Sequence, residues 1–342
     1  MSHRITIKPS NHTFLTGENE TILEAALREG FALPYGCRNG ACGSCKGKIL
    51  EGSVDYGTYQ ESALSEKEKQ AGLALFCCAQ AQSDLVIECR EIGAAKDIQI
   101  KTLPCRVQQM EKVADDVMVL YLKLPANERL QFLAGQYVDI LMKDGKRRSF
   151  SMANAPHDDE LLQLHVRNVA GGTFTEHVFS KMKEKDILRF EGPLGTFFLR
   201  EDSDKPIIFM AGGTGFAPIK SMLEHAFHIG MDRQMVLYWG ARSLKDLYMP
   251  ELPGKWQQEH TNFTFIPVLS EPKPEDHWDG RIGLVHEAIR KDFPDLSGYQ
   301  IYACGSPDMV DAGHKAFIQH GLPEDEFLSD AFLFQTSATA SS

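Results

Sequence analysis

Four cysteines constrain this chain more than any other feature. Cys37, Cys42 and Cys45 lie in the run Tyr35-Gly36-Cys37-Arg38-Asn39-Gly40-Ala41-Cys42-Gly43-Ser44-Cys45, and Cys77 follows 32 positions later. The pattern C-x4-C-x2-C with a distant fourth cysteine is the plant-type [2Fe–2S] ligand spacing. Two irons need four thiolates, so three must converge from one tight loop while the fourth arrives from elsewhere in the fold. Glycines at 36, 40 and 43 let that loop bend and turn backbone N–H groups toward sulfur. Disulfides, a zinc knuckle and buried free thiols are the alternatives. A zinc knuckle pairs short spacings, and Cys77 has no such partner except its neighbour Cys78.

A chain of 342 residues, 43% hydrophobic and 24% charged, has the composition of an ordinary globular protein and the length of two or three domains. No apolar run approaches the roughly 18 residues of a membrane span. Met1-Ser2-His3-Arg4 leads straight into an alternating segment with no signal-peptide core. Eight cysteines, half of them explained by a cluster, fit a reducing compartment, and a cytoplasmic protein is expected. Charge is uneven: residues 1–92 carry a net −3, residues 93–200 a net +2 and residues 201–342 a net −10. That distribution offers no basic face for nucleic acid. The mildly basic middle third is the natural dock for an anionic cofactor.

Ile5-Thr6-Ile7 and His12-Thr13-Phe14 read as a hairpin, Thr21–Gly30 as a helix, Leu64–Lys69 as a capped helical turn, and Lys46–Ile49 and Leu85–Glu88 as strands. This order of hairpin, helix, cysteine loop and late strand resembles the β-grasp ferredoxin over residues 1–92. In plant-type ferredoxins the last ligand stands seven residues before the Asp of a Ser-Asp that opens the final strand. Counting back from Asp84, the resemblance selects Cys77 and makes Cys78 a neighbour. Cys89 and Cys105 read as small buried side chains. Residues 93–102 form a polar linker. Cys105–Met110, Val117–Leu124, Tyr137–Met142, Arg148–Met152, Leu161–Arg167 and Asp186–Glu191 then alternate between turns, as in a small antiparallel β-barrel, with one helix at Thr173–Met182. After Asp204 apolar strands alternate with glycine turns and helices, which predicts a parallel α/β domain. Expected domains are therefore 1–92, 103–200 and 201–335, in a multidomain α+β and α/β chain with a disordered tail at 336–342.

Three segments point to nucleotides. In Arg147-Arg148-Ser149-Phe150-Ser151, the Arg148 guanidinium suits a flavin adenine dinucleotide pyrophosphate, Phe150 offers an aromatic surface to the ring, and Ser151 can reach the flavin edge near N5. Gly171-Gly172-Thr173-Phe174-Thr175 opens a helix whose free N–H groups form an anion site for the same pyrophosphate. Ile207–Ala211 runs into Gly212-Gly213-Thr214-Gly215 and then a helix with Pro218 near its start, the geometry by which a dinucleotide approaches backbone, although it is not G-x-G-x-x-G. Ile301-Tyr302-Ala303-Cys304-Gly305 is a second strand-to-glycine turn, which sets Cys304 where ligands bind in parallel sheets.

Together with Gly192-Pro193-Leu194-Gly195 and Cys304-Gly305-Ser306-Pro307, these motifs resemble the ferredoxin-NADP reductase superfamily over residues 1 to about 335. The order ferredoxin, flavin domain, nicotinamide domain is similar to bacterial reductases that feed dioxygenases and multicomponent monooxygenases. Tyr35–Gly47 and Arg148–Asn154 most resemble the CDP-6-deoxy-Δ3,4-glucoseen reductase group. The resemblance implies a two-electron hydride from the nicotinamide to FAD, then single electrons to the [2Fe–2S] cluster held by Cys37, Cys42, Cys45 and Cys77, and on to a partner enzyme. By motif, Arg148 binds pyrophosphate, Phe150 packs on the ring, Ser151 approaches N5 and Cys304 faces the nicotinamide. Asp330-Ala331-Phe332 matches the family's terminal acid-x-aromatic group over the flavin, with Phe334 as the rival.

Gly240-Ala241-Arg242-Ser243 follows the strand Met235–Trp239 with no carboxylate for a ribose 2′-OH, and Arg242 could meet a 2′-phosphate. Similar bacterial reductases mostly use NADH, which outweighs one arginine and makes NADH the expected donor, with NADPH second. A sugar-nucleotide dehydrase and an oxygenase are the rival acceptors. A redox sensor would need an output module, and every segment is already taken by a domain of usual size.

Overall fold

The computed structural model describes residues 2–89, 91 and 98–332. The tail at 336–342, residues 93–97 of the linker and Phe334 lie outside the described residues.

Residues Met1–Gln99, joined by Leu194–Phe197, form one compact unit. Its elements are Arg4–Lys8 (β1), Thr13–Leu15 (β2), Ile22–Arg28 (α1), Lys46–Glu51 (β3), Val54–Asp55 (β4), Glu66–Gln70 (α2), Leu73–Leu75 (β5), Gln80–Ala81 (β6) and Leu85–Glu88 (β7). Alternation in β1 turns Ile5 and Ile7 inward, and the strand pairs antiparallel with β2 and parallel with β7 in a sheet ordered β2-β1-β7-β3-β5. Helix α1 starts where Thr21 and Glu24 form a reciprocal capping box, and it buries Ile22, Leu23, Ala25 and Ala26. Helix α2 buries nothing and depends on the same device, Ser65 with Glu68. Lys46 adds a 2.6 Å bond to Glu68, which holds that carboxyl down at about 2. Thr196 ties in the returning segment: its hydroxyl accepts from Tyr35 N at 2.9 Å, and its own N–H donates to Tyr35 O.

The second unit spans Ile100–Pro193 and Phe198–Ser342. Lys101–Ala114 (β8), Val117–Lys123 (β9), Tyr137–Leu141 (β10), Arg147–Ser151 (β11), Leu162–Arg167 (β12), Thr173–Ser180 (α3) and Ile187–Leu194 (β13) build its first half. The strands run β11-β10-β13-β8-β9-β12, and a Met152–Leu164 bridge brings the two edges together, which closes the expected barrel. Inside it Val107, Leu120, Leu122, Val138, Ile140, Leu164, Val166 and Phe190 are fully buried. Each such side chain contributes about 1.5–3 kcal/mol of transfer free energy, so this core rather than hairpin geometry fixes the register.

The second half comprises Ile207–Gly212 (β14), Phe216–His228 (α4), Met235–Ala241 (β15), Glu251–Glu259 (α5), Phe263–Leu269 (β16), Arg281–Ile282 (β17), Val285–Asp292 (α6), Gln300–Gly305 (β18), Pro307–Gln319 (α7) and Phe327–Ala331 (β19). The sheet is parallel throughout, ordered β17-β16-β15-β14-β18-β19. Strands β14 and β18 are apolar on both faces because helices cover both. The chain steps outward from β14 and then returns beside it as β18. Order therefore reverses between these two strands, where ligands bind in such sheets. Barrel and sheet share a polar seam: Lys220 Nζ donates to Ala153 O at 3.1 Å, Ser221 Oγ to Asn154 O at 2.7 Å, and His165 Nδ1 is hydrogen-bonded to Tyr248 Oη at 2.8 Å.

Candidate functional site

The loop between α1 and β3 carries three cysteines, and the turn after β5 carries Cys77. Backbone N–H groups of Ala41 and Cys42 donate to Cys37 Sγ at 3.4 and 3.3 Å, and Cys37 N donates to Cys42 Sγ at 3.3 Å. The Cys42 hydrogen bond and backbone amides bring Cys37 down to about 6, while Cys42 is pushed up. Cys45 and Cys77, both buried, form the second pair: the Cys45 hydrogen bond lowers Cys77 to about 3, and Cys45 rises. Each pair thus gives up one proton readily, and a cation replacing the shared proton would release the other. Among the described residues no three His, Cys, Asp or Glu groups are placed to hold a single ion. Two cysteines per iron, with N–H groups aimed at sulfur, is instead the donor set of a two-iron cluster. Cys77, not Cys78, is the thiol turned to Cys45.

On the barrel, β11 pairs with β10, setting Ser151 opposite Tyr137 and Arg148 opposite Ile140. Arg148 and Phe150 share one side of the strand, and Arg148 Nη1 donates to Arg147 O at 2.8 Å. Arg147 points the other way, 2.8 Å from Glu191 Oε1. Ser149 is engaged with Asp139, its hydroxyl donating at 2.6 Å, and Ser151 is buried. Phe150 rests on Phe174, ring centroids 5.2 Å apart. Phe174 itself is 2% exposed, so it supports Phe150 from the core and offers a ligand only its backbone. Helix α3 begins at Thr173 with Gly172 as its cap; Thr175 Oγ1 bonds back to Gly172 O, and the Glu176 carboxylate already accepts from Gly171 N at 2.9 Å. The helix ends at Ser180 rather than Met182, because Lys181 leaves helical geometry.

At the switch point a cavity of about 510 Å³ is lined by Gly212, Gly213, Thr214, Arg242, Ser306, Asp308, Met309 and Phe332 among others. Gly215 lies behind this wall: a Cβ there would collide with the Cys304 carbonyl oxygen, so only glycine allows the turn to press on β18. A Cβ on Gly305 would come within 2.7 Å of Met309 and 3.1 Å of Gly212. Cys304 is fully buried, and burial first and Asp330 second push its thiol up, so it stays protonated. It is not part of the cavity wall. Phe332, whose N–H donates to Gly305 O at 2.8 Å, stands in this wall.

Two wall residues were missed in the sequence. The carboxylate absent after β15 is supplied one turn later by Asp246, which accepts from Ser243 N and Oγ at 3.0 Å and lies 3.9 Å from Arg242 Nε. The Ser-x-x-Asp capping pattern after a strand was its available signal. Arg167, at the end of β12, sets its guanidinium against Gly213 and lines the same cavity. Its Nε is 3.1 Å from Asp116 Oδ2, an ion pair by distance without hydrogen-bond alignment. Nothing local in the sequence marks Arg167.

Residues 5–82 match the 2Fe-2S iron-sulfur cluster binding domain, residues 104–199 the oxidoreductase FAD-binding domain and residues 209–315 the oxidoreductase NAD-binding domain. A CDP-6-deoxy-L-threo-D-glycero-4-hexulose-3-dehydrase reductase of Yersinia pseudotuberculosis is 41% identical over 333 residues, 97% of this chain and 99% of its own. The chain belongs to the ferredoxin reductase superfamily. Reductase component 1 of terephthalate 1,2-dioxygenase from Comamonas sp. is 36% identical over the whole of both chains. The crystal structure of the Amycolatopsis cytochrome P450 reductase GcoB superposes with a TM-score of 0.79 at 33% identity, covering 96% of this chain and 98% of that one. The protein is an NAD(P)H-dependent oxidoreductase that uses FAD and a [2Fe–2S] cluster to pass electrons to a separate terminal enzyme. No helix among the described residues is long and apolar enough to cross a membrane.

Proposed function

We propose that this reductase takes hydride from NADH and delivers single electrons to a sugar-nucleotide dehydrase in the cytoplasm. The observation that carries the acceptor is the 41% identity to the Yersinia dehydrase reductase along virtually all of both chains. Eight cysteines outside any disulfide, four of them given to the cluster, support the compartment. In this reading the ferredoxin domain is 1–92, the flavin domain 103–200 and the nicotinamide domain 201–335.

Within that frame Cys37, Cys42, Cys45 and Cys77 hold the irons. Arg148, with the backbone of Gly171, Gly172, Thr173, Phe174 and Thr175, receives the flavin pyrophosphate, while Ser149 keeps β11 in place through Asp139. Phe150 supports the ring, and Ser151 bonds its edge. FAD, when bound, supplies the conversion of one hydride into two single electrons. Gly212, Gly213 and Thr214 receive the dinucleotide backbone, with Arg167 beside it, and Gly215 behind them lets the turn press on β18. Cys304 and Gly305 back the turn from β18, behind the wall of the cavity that would take the nicotinamide, and Phe332 guards its entry. Asp246 favours NADH by accepting from a ribose hydroxyl, while Arg242, whose side chain is 75% exposed, is drawn toward that carboxylate.

The test mixes purified reductase and NADH with either the dehydrase and its sugar nucleotide or an aromatic-ring dioxygenase and its substrate. Dehydrase-dependent NADH consumption supports the proposal. Turnover with the dioxygenase alone would transfer the chain to the oxygenase systems.

A further inference from the structure

Five sulfurs, not four, gather at the cysteine loop. Cys78 Sγ stands 3.6 Å from Cys77 Sγ. Two thiolates on one tetrahedral metal with bonds near 2.3 Å lie about 3.8 Å apart, so the two sulfurs are spaced as ligands of one ion would be. Cys78 also sits over the loop itself: a Cβ on Gly40 would come within 2.7 Å of its sulfur, and the Gly40 N–H bonds the Cys77 sulfur. The turn carrying both thiols is fixed by main chain, since Cys78 N and Ala79 N both donate to Leu75 O, at 3.0 and 2.8 Å. Shortening the Cys77 side chain therefore leaves the Cys78 backbone where it is. One χ1 change moves a cysteine sulfur by about 3 Å, which is most of the 3.6 Å to the position Cys77 vacates.

We propose that Cys78 is a reserve cluster ligand. When Cys77 is lost, the Cys78 thiol gives its proton to solvent and its sulfur bonds the iron that Cys77 held. The exchange is a ligand substitution in which no electron moves. It rests on Cys37, Cys42, Cys45 and Cys77 being the resting ligands, so the experiment reports on that set separately.

Full-length Cys77→Ala, Cys78→Ala, the double variant and Cys42→Ala are compared by iron, acid-labile sulfide and FAD per chain, and by electron paramagnetic resonance after dithionite reduction. Cys77→Ala and Cys78→Ala are each expected to keep about two irons, the former with shifted g values, while the double variant and Cys42→Ala lose theirs. Iodoacetamide should alkylate Cys78 in the parent protein, and in Cys77→Ala only after the iron is chelated. Loss of iron from Cys77→Ala, whether or not the chain keeps its FAD, overturns the proposal, as does a retained cluster with Cys78 still open to alkylation. Retention of iron by Cys42→Ala would instead sink the resting ligand set.

Discussion

The cysteine loop turns backbone N–H groups to its own sulfurs and the glycine turn after β14 lines a cavity, yet they are anchored in opposite ways. The loop hangs between α1 and β3 without regular structure of its own, and its sulfurs are held by local amides. The turn grows out of a fully buried strand and is wedged against the next one, with Gly215 on the Cys304 carbonyl. The first site can therefore lose its ligand chemistry and keep its fold, whereas the second cannot be altered without disturbing the sheet. A site on a loop is modular; a site on strand ends is part of the core.

The largest expected effect follows from that contrast. Gly215→Ala forces Cβ into backbone, which cannot relax as a side chain would, and should cost about 4 kcal/mol or more, or roughly 10 °C in Tm for a unit of this size. Thermal unfolding of the FAD-loaded chain checks it; a Tm within a degree or two of the parent would mean that the turn is as adaptable as the loop.

Arg148→Ala comes next. Removing a charge-assisted bond to phosphate should weaken FAD binding by about ten- to a hundredfold, on the order of 1.5–3 kcal/mol, with little effect on folding. Arg147→Ala, half exposed on the Glu191 side of β11, should change affinity far less. Equal loss of flavin in both, read by equilibrium dialysis, would show that the register assigned to β11 does not select the phosphate ligand.

A smaller effect belongs to the seam between barrel and sheet. Burial, with Lys220 adding to it, lowers His165 to about 3. The unfolded chain takes up a proton near pH 6.5 and the folded one does not, so this histidine's contribution is full above 6.5 and falls as pH drops from 6.5 toward 3. The slope is about 1.4 kcal/mol per pH unit. Urea unfolding of the parent and His165→Gln should therefore diverge in pH dependence only below 6.5. Parallel curves would mean that His165 is protonated in the native protein.

The sequence announced the two sites to unequal depth. Cysteine spacing and the glycine run are local patterns, and each strand of the barrel carries its own alternation, so the gathering of the cysteines, the turn and the domain order were legible. Asp246 was hidden because its place in the cavity wall depends on a turn folding back beside β15, and Arg167 because its neighbour Gly213 is 46 positions away. Phe174 belongs to the helix opening read as an anion site, and burial of its ring in the core leaves only its backbone for a ligand. The pairing of His165 with Tyr248 joins residues of two different domains, which no periodicity encodes.

The central claim is that hydride capture and cluster chemistry are separable within one chain. Anaerobic mixing of NADH with Cys42→Ser, followed at the flavin band by stopped flow, tests it most directly. Flavin bleaching at the parent rate with no cluster signal is the expected result. Loss of flavin reduction in this variant, with its FAD still bound, would contradict the claim.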